Sequence, residues 1–153
     1  MFDFLNGYGF LGTKATFRTD AIFILILTSS ILLTIGWWLA VHKHYTAHRW
    51  VQTFAVLLNA TVVLSTMIRA FATFILPGIP AKLGDRIIGV TTVHALTGVI
   101  GLALGLFVVL RANGLMPKAF QFKNYKLFMR TSYALYMLAT LMGITVYIVT
   151  YIL

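Results

Sequence analysis

The sequence predicts an all-α membrane protein, a four-transmembrane-helix antiparallel bundle. Two bulk properties and one pattern predict it. Sixty per cent of the 153 residues are hydrophobic and ten per cent are charged, and the mean hydropathy is +0.93. A soluble domain is about a quarter charged, so this chain carries too little polar surface to face water. The pattern is the third observation: four apolar runs reach the roughly 20 residues a helix needs to cross the hydrocarbon core.

The segment before the first run, 1–19, reads "MFDFLNGYGFLGTKATFRT". It interleaves aromatics with glycine and asparagine, is too broken to span, and is expected to lie in the interface or pack against a partner. With Asp3, Asn6, Lys14 and Arg18 and no basic start leading into an apolar core, it does not read as a signal peptide. The first span is expected over about 20–42 and the second over about 48–76, stopped by Pro77, Gly78 and Pro80. The third covers about 87–110, ahead of Arg111, Asn113, Gly114 and Pro117, and the fourth about 126–153. Five residues between the first two spans force a tight hairpin. No internal repeat is visible, so 1–153 reads as a single membrane domain.

With four spans, both termini share one side. The opposite, loop side carries Lys43, Arg49, Arg111, Lys118, Lys123, Lys126 and Arg130 and no acid. The terminal side carries Lys14, Arg18, Arg69, Lys82 and Arg86 with all three acids, Asp3, Asp20 and Asp85. The positive-inside rule then puts the loops in the cytoplasm and both termini outside it. Trp37, Trp38 and Trp50 flank the first loop, as an aromatic belt would. The net charge of +9 suits basic loops beside anionic lipid headgroups. The basic residues flank spans and form no separate domain, so lipids are the expected partners and nucleic acid is not.

Chemistry is sparse. There is no cysteine, which excludes disulfides, thiolate metal sites and iron–sulfur clusters. There is no glutamate, and the three aspartates lie near span ends, leaving little for acid–base work or hydrolytic metal chemistry. In the third span His94, Gly98, Gly101 and Gly105 fall on one narrow face. One reading is a flat ligand such as a haem lying on the glycines with His94 as axial ligand. The other is close helix packing of the small-xxx-small type, with His94 hydrogen-bonded to Thr66 or Tyr147. A site there would draw on Arg69 and Tyr147, in the same half of the bilayer; Arg69 alternatively snorkels to headgroups. His44 and His48 have the i, i+4 spacing of a helical metal site, but no carboxylate or cysteine stands near to complete it. The plainer reading of that stretch is a basic interfacial hinge. His48, Gln52, Asn59 and Thr66 form a polar stripe on the second span, and Tyr133, Tyr136, Thr140, Gly143 and Tyr147 one on the fourth. Both point to a hydrogen-bonded core.

Four stretches, "GFLGTKATFRTDAIF", "HKHYTAHRWVQ", "VHALTGVIGLALGLFVVLRA" and "LYMLATLMGITVYIVTY", together resemble a small four-helix membrane family of unknown-function domain proteins, typified by YozB (CtaM). The resemblance covers most of the chain. It implies a place beside haem–copper oxidases in a prokaryotic plasma (inner) membrane, in their maturation or as an accessory component. The family's further histidines, at the end of span two and the start of span four, are replaced by Ala70-Phe71 and Asn124-Tyr125; His48 and His94 alone match. That departure favours a structural role. The expected function is therefore a non-catalytic membrane subunit or assembly factor of a respiratory or related electron-transfer complex, partnered by other integral membrane subunits and without a cofactor of its own. The alternative is a haem b- or quinone-binding redox protein built on His94 and the glycine face. Transport ranks third, since inverted repeats and broken helices are missing.

Overall fold

The computed structural model describes residues 7–120 and 124–153. Four helices in it are long and apolar enough to cross a membrane: α1 (Phe17–Val41), α2 (Tyr45–Gly78), α3 (Arg86–Ala112) and α4 (Tyr125–Tyr151). The chain is an all-α four-helix bundle and a multi-pass membrane protein.

Each helix begins where its sequence supplies a cap or a turn. The Thr16 hydroxyl accepts from the Thr19 amide, which starts α1 three residues before the apolar run and carries Arg18 and Asp20 inside it. Asp85 caps α3, its Oδ1 accepting from the Ile87 and Ile88 amides at 2.9 and 3.2 Å. The first hairpin is tighter than the sequence suggests. α1 ends at Val41 and α2 starts at Tyr45, so His42, Lys43 and His44 make the whole turn. It closes by a hydrogen bond from the His44 amide to the Leu39 carbonyl at 2.9 Å, with Lys43 in the left-handed region at φ 64°. The end of α3 turns the same way, the Leu115 amide reaching the Leu110 carbonyl at 2.9 Å with Gly114 at φ 72°. There the residue type suits the conformation.

α2 is the longest element. Its 34 residues measure about 51 Å at 1.5 Å each, against a hydrocarbon core of about 30 Å. Its second half is not regular: Val63–Met67 and Phe71–Ile75 are π-helical, and Leu76–Gly78 is a 3-10 turn with Pro77 in its first turn. The Ile68 amide bonds to Val63 and the Leu76 amide to Phe71, the i→i+5 pattern of a π-bulge. Proline lacks an N–H, so the helix continues through Pro77 in 3-10 form for one more turn before it stops.

α1 pairs with α2 and α3 with α4, and the two hairpins close on each other through α2–α3 and α1–α4. The core is Leu33, Ala55, Val56, Ala60, Leu102, Val109 and Tyr136. Ala55 and Ala60 on α2, and Gly101 and Gly105 where α3 meets α4, are small, which lets backbones approach closely. In lipid this matters because dispersion contacts, not exclusion of water, hold helices together. Ile31, Phe54, Leu64, Leu96 and Leu141 are each 60 % exposed or more and form the apolar outer surface that acyl chains contact.

Of the N-terminal segment, 1–6 lie outside the described residues. The part from Gly7 onward does not lie free. The Gly9 amide bonds to the Ala15 carbonyl and the Phe17 amide to the Gly7 carbonyl, both at 3.0 Å, and the Lys14 amide reaches the Tyr151 carbonyl at 3.2 Å. The segment is therefore a strap over the ends of α1 and α4.

Candidate functional site

The histidine and glycine face of α3 is turned to α4. His94 Nδ1 lies 3.0 Å from the Ala139 carbonyl oxygen. A carbonyl only accepts, so Nδ1 carries the proton, and in the neutral ring Nε2 is left as an acceptor. Gly143 lets the ring come this close: a Cβ there would stand 3.1 Å from His94 Cε1. Further along α3, a Cβ on Gly101 would be 3.3 Å from Leu135 Cβ, and one on Gly105 would be 2.7 Å from Tyr136 Cε2. Gly98 faces open space. The bed on which a flat ligand could rest is thus occupied at Gly101 and Gly105 by Leu135 and the Tyr136 ring. A porphyrin does not fit against the glycines in this packing.

The residues grouped with His94 on sequence grounds are dispersed. Thr66 turns back on its own helix, Oγ1 donating to the Val62 carbonyl at 2.6 Å. Arg69 is exposed on α2. The Tyr147 hydroxyl is directed to Asp20, at 2.5 Å. His94 is accordingly held by a backbone carbonyl, neither by Thr66 nor by Tyr147.

The loop-side histidines act at the α1–α2 hairpin. His48 Nδ1 is 2.7 Å from the Gly36 carbonyl oxygen, and Gln52 Nε2 donates to the Leu33 carbonyl at 3.0 Å. The absence of a side chain at Gly36 admits Gln52, whose Nε2 would be 2.6 Å from a Cβ there. His48 and Gln52 therefore hold α2 against α1 by hydrogen bonds, which need a partner in lipid whatever else they do. His44 stands at the N-cap of α2, exposed and without a side-chain cap bond. Among the described residues no group of three or more His, Cys, Asp or Glu could hold a metal ion.

The most enclosed polar group in the described chain was not singled out by sequence. Asp20 is 0 % exposed. Its Oδ2 accepts from the Leu11 amide at 2.8 Å and its Oδ1 from the Tyr147 hydroxyl. Thr13 Oγ1 meets the same hydroxyl at 2.9 Å, and the Phe23 ring stacks on the Tyr147 ring at 4.2 Å. A side chain on Gly9 would collide with the Asp20 carboxyl, so glycine is required where the strap passes over it. The signal available in the sequence is an acid in the first turn of an apolar run, behind a Thr cap.

Three buried polar atoms remain without a hydrogen-bond partner among the described residues, Ser29 Oγ, Thr91 Oγ1 and the Tyr136 hydroxyl. Other hydroxyls find partners on neighbouring helices: the exposed Thr34 Oγ1 meets the Tyr133 hydroxyl at 3.2 Å, and the buried Ser132 Oγ donates to the Gly101 carbonyl at 3.4 Å. What the interior offers chemically is a set of helix-to-helix bonds. A scan against protein-family models, a search of curated proteins and a search of solved structures each returned no match.

Proposed function

We propose that this chain is a non-catalytic integral membrane subunit or accessory factor of a larger membrane complex, of the respiratory or related electron-transfer class. One observation supports it above the others. The residues with chemical potential, His94, His48, Gln52, Asp20 and Tyr147, are engaged in bonds that join helix to helix or strap to bundle. Such a bundle is suited to being a rigid piece of a larger assembly. The resemblance to the oxidase-associated four-helix family supplies the class of complex. The excess of basic residues on the loop side supports cytoplasmic loops and outward termini, and the family resemblance supports a prokaryotic inner membrane.

Co-purification from mild detergent tests the reading. Other integral membrane proteins should accompany the chain, and any Soret absorbance should travel with them and leave the isolated chain colourless. A chain that purifies alone with stoichiometric haem, whose spectrum is lost in His94→Gln at normal yield, would overturn it in favour of a redox protein.

A further inference from the structure

At the loop end of the bundle, α2 begins where α3 stops. Asn113, just past the end of α3, donates from Nδ2 to Thr53 Oγ1 on α2 at 3.0 Å and to the Val109 carbonyl at 2.9 Å. This clamp fixes the two helix ends side by side. Beside it opens a notch of about 430 Å³ lined by Arg49, Arg111, Ala112, Asn113 and Gly114. Arg49 comes from near the start of α2 and Arg111 from the last turn of α3, so two guanidinium groups border one opening. Each is steadied by an aromatic ring. The Arg49 guanidinium carbon lies 5.2 Å from the Trp50 ring centroid and that of Arg111 4.8 Å from the Tyr125 ring centroid. A cation over an aromatic face is attracted to it and loses some of its freedom.

We propose that this notch is a binding site for a phosphate-bearing anion, either the phosphodiester of an anionic lipid or a free phosphate. Guanidinium is the side chain best matched to phosphate, with paired donors in one plane. The site lies beside Trp50, a residue type that settles at headgroup depth, and basic pockets between helix ends are where anionic headgroups bind. No acid lies on this side of the chain: the described acids, Asp20 and Asp85, belong to the terminal side. The end of α3 presents carbonyls equivalent to roughly half a negative charge, which two full positive charges exceed. Gly114 contributes space, since nothing stands within 4 Å of where its side chain would be.

The test uses the purified full chain in dodecyl maltoside, titrated with phosphatidylglycerol or phosphatidylcholine and followed by native mass spectrometry. Phosphatidylglycerol should bind more tightly than phosphatidylcholine. Arg49→Gln should weaken it about fivefold, the effect of one basic side chain at a membrane surface. Lys82→Gln, at the other end of the bundle, should leave it unchanged. Arg49 is exposed, so its replacement spares the fold even if Arg111→Gln does not. Inorganic phosphate, added as competitor, separates the two sources. Displacement of the lipid from the unmodified chain but not from Arg49→Gln shows that the site takes the phosphate group from either source, and failure to displace assigns it to the lipid. Equal affinity for the two lipids, or equal losses in Arg49→Gln and Lys82→Gln, would overturn the proposal.

Discussion

Gly98 and Gly105 lie two turns apart on one face of α3, yet their surroundings differ. Beside Gly98 nothing stands within 4 Å of where a Cβ would be, whereas at Gly105 the Tyr136 ring would be 2.7 Å away. Gly98→Ala should therefore stabilise the bundle by about 0.5–1 kcal/mol through lower backbone entropy in the unfolded chain. Gly105→Ala should cost about 1–3 kcal/mol by overpacking. Thermal melting in detergent measures both, and equal effects would show that the glycines are not distinguished by their neighbours. The sequence revealed that these glycines share a face. It could not reveal what covers that face, because any helix of the right hydropathy could have brought a ring there. Asp20 was harder still. Its burial depends on the Leu11 amide nine residues before it and on Tyr147 127 residues after it, and no local pattern carries that information. Tyr147→Phe removes one of its two bonds and should destabilise by about 1–3 kcal/mol. Hydrogen exchange at Leu11 should quicken with it; unchanged protection there would mean that the strap is held by something else.

Among the elements, the spans were legible because apolar length alone defines them, and their centres agree with expectation. Their ends shifted wherever capping or turn geometry decided the boundary. Thr16 drew α1 back to Phe17, and a turn of three residues drew α2 forward to Tyr45. The irregular second half of α2 left no sequence trace, since a π-bulge needs one extra residue per turn and no particular side chain. Lys43 is the element-scale exception. It occupies a left-handed position that costs an L-residue roughly 1–2 kcal/mol. Lys43→Gly should relieve that cost and raise the stability of the α1–α2 hairpin by about 1 kcal/mol, read as a higher melting temperature in detergent. A lower one would mean that the lysine side chain contributes more than its backbone costs.

At the scale of the molecule, helix count and order followed from hydropathy and from the tight first hairpin. The ring of contacts α1–α2–α3–α4–α1 is the arrangement short loops favour. Orientation rests on charge, with seven basic residues and no acid on the loop side against five basic residues and three acids on the other. A reporter active only in the cytoplasm, fused after Leu153, should accordingly be silent, and one inserted at Gly114 should be active. The reverse pattern would invert the topology and place the arginine notch on the outer face.

The bond between Asp20 and Tyr147 also has a consequence in time. α1 is made first and α4 last, and at about 5–20 residues per second the 127 residues between these partners take roughly 6–25 s to synthesise. For that interval the Asp20 carboxyl has the Leu11 amide within reach but lacks its second donor, the Tyr147 hydroxyl. The nascent chain must keep Asp20 at the water boundary, or lend it another donor, until the fourth helix arrives. Docking of Tyr147 and Tyr151 against the strap is then the last of these contacts to form, and an Asp20 without its Tyr147 bond marks a bundle whose fourth helix has failed to dock.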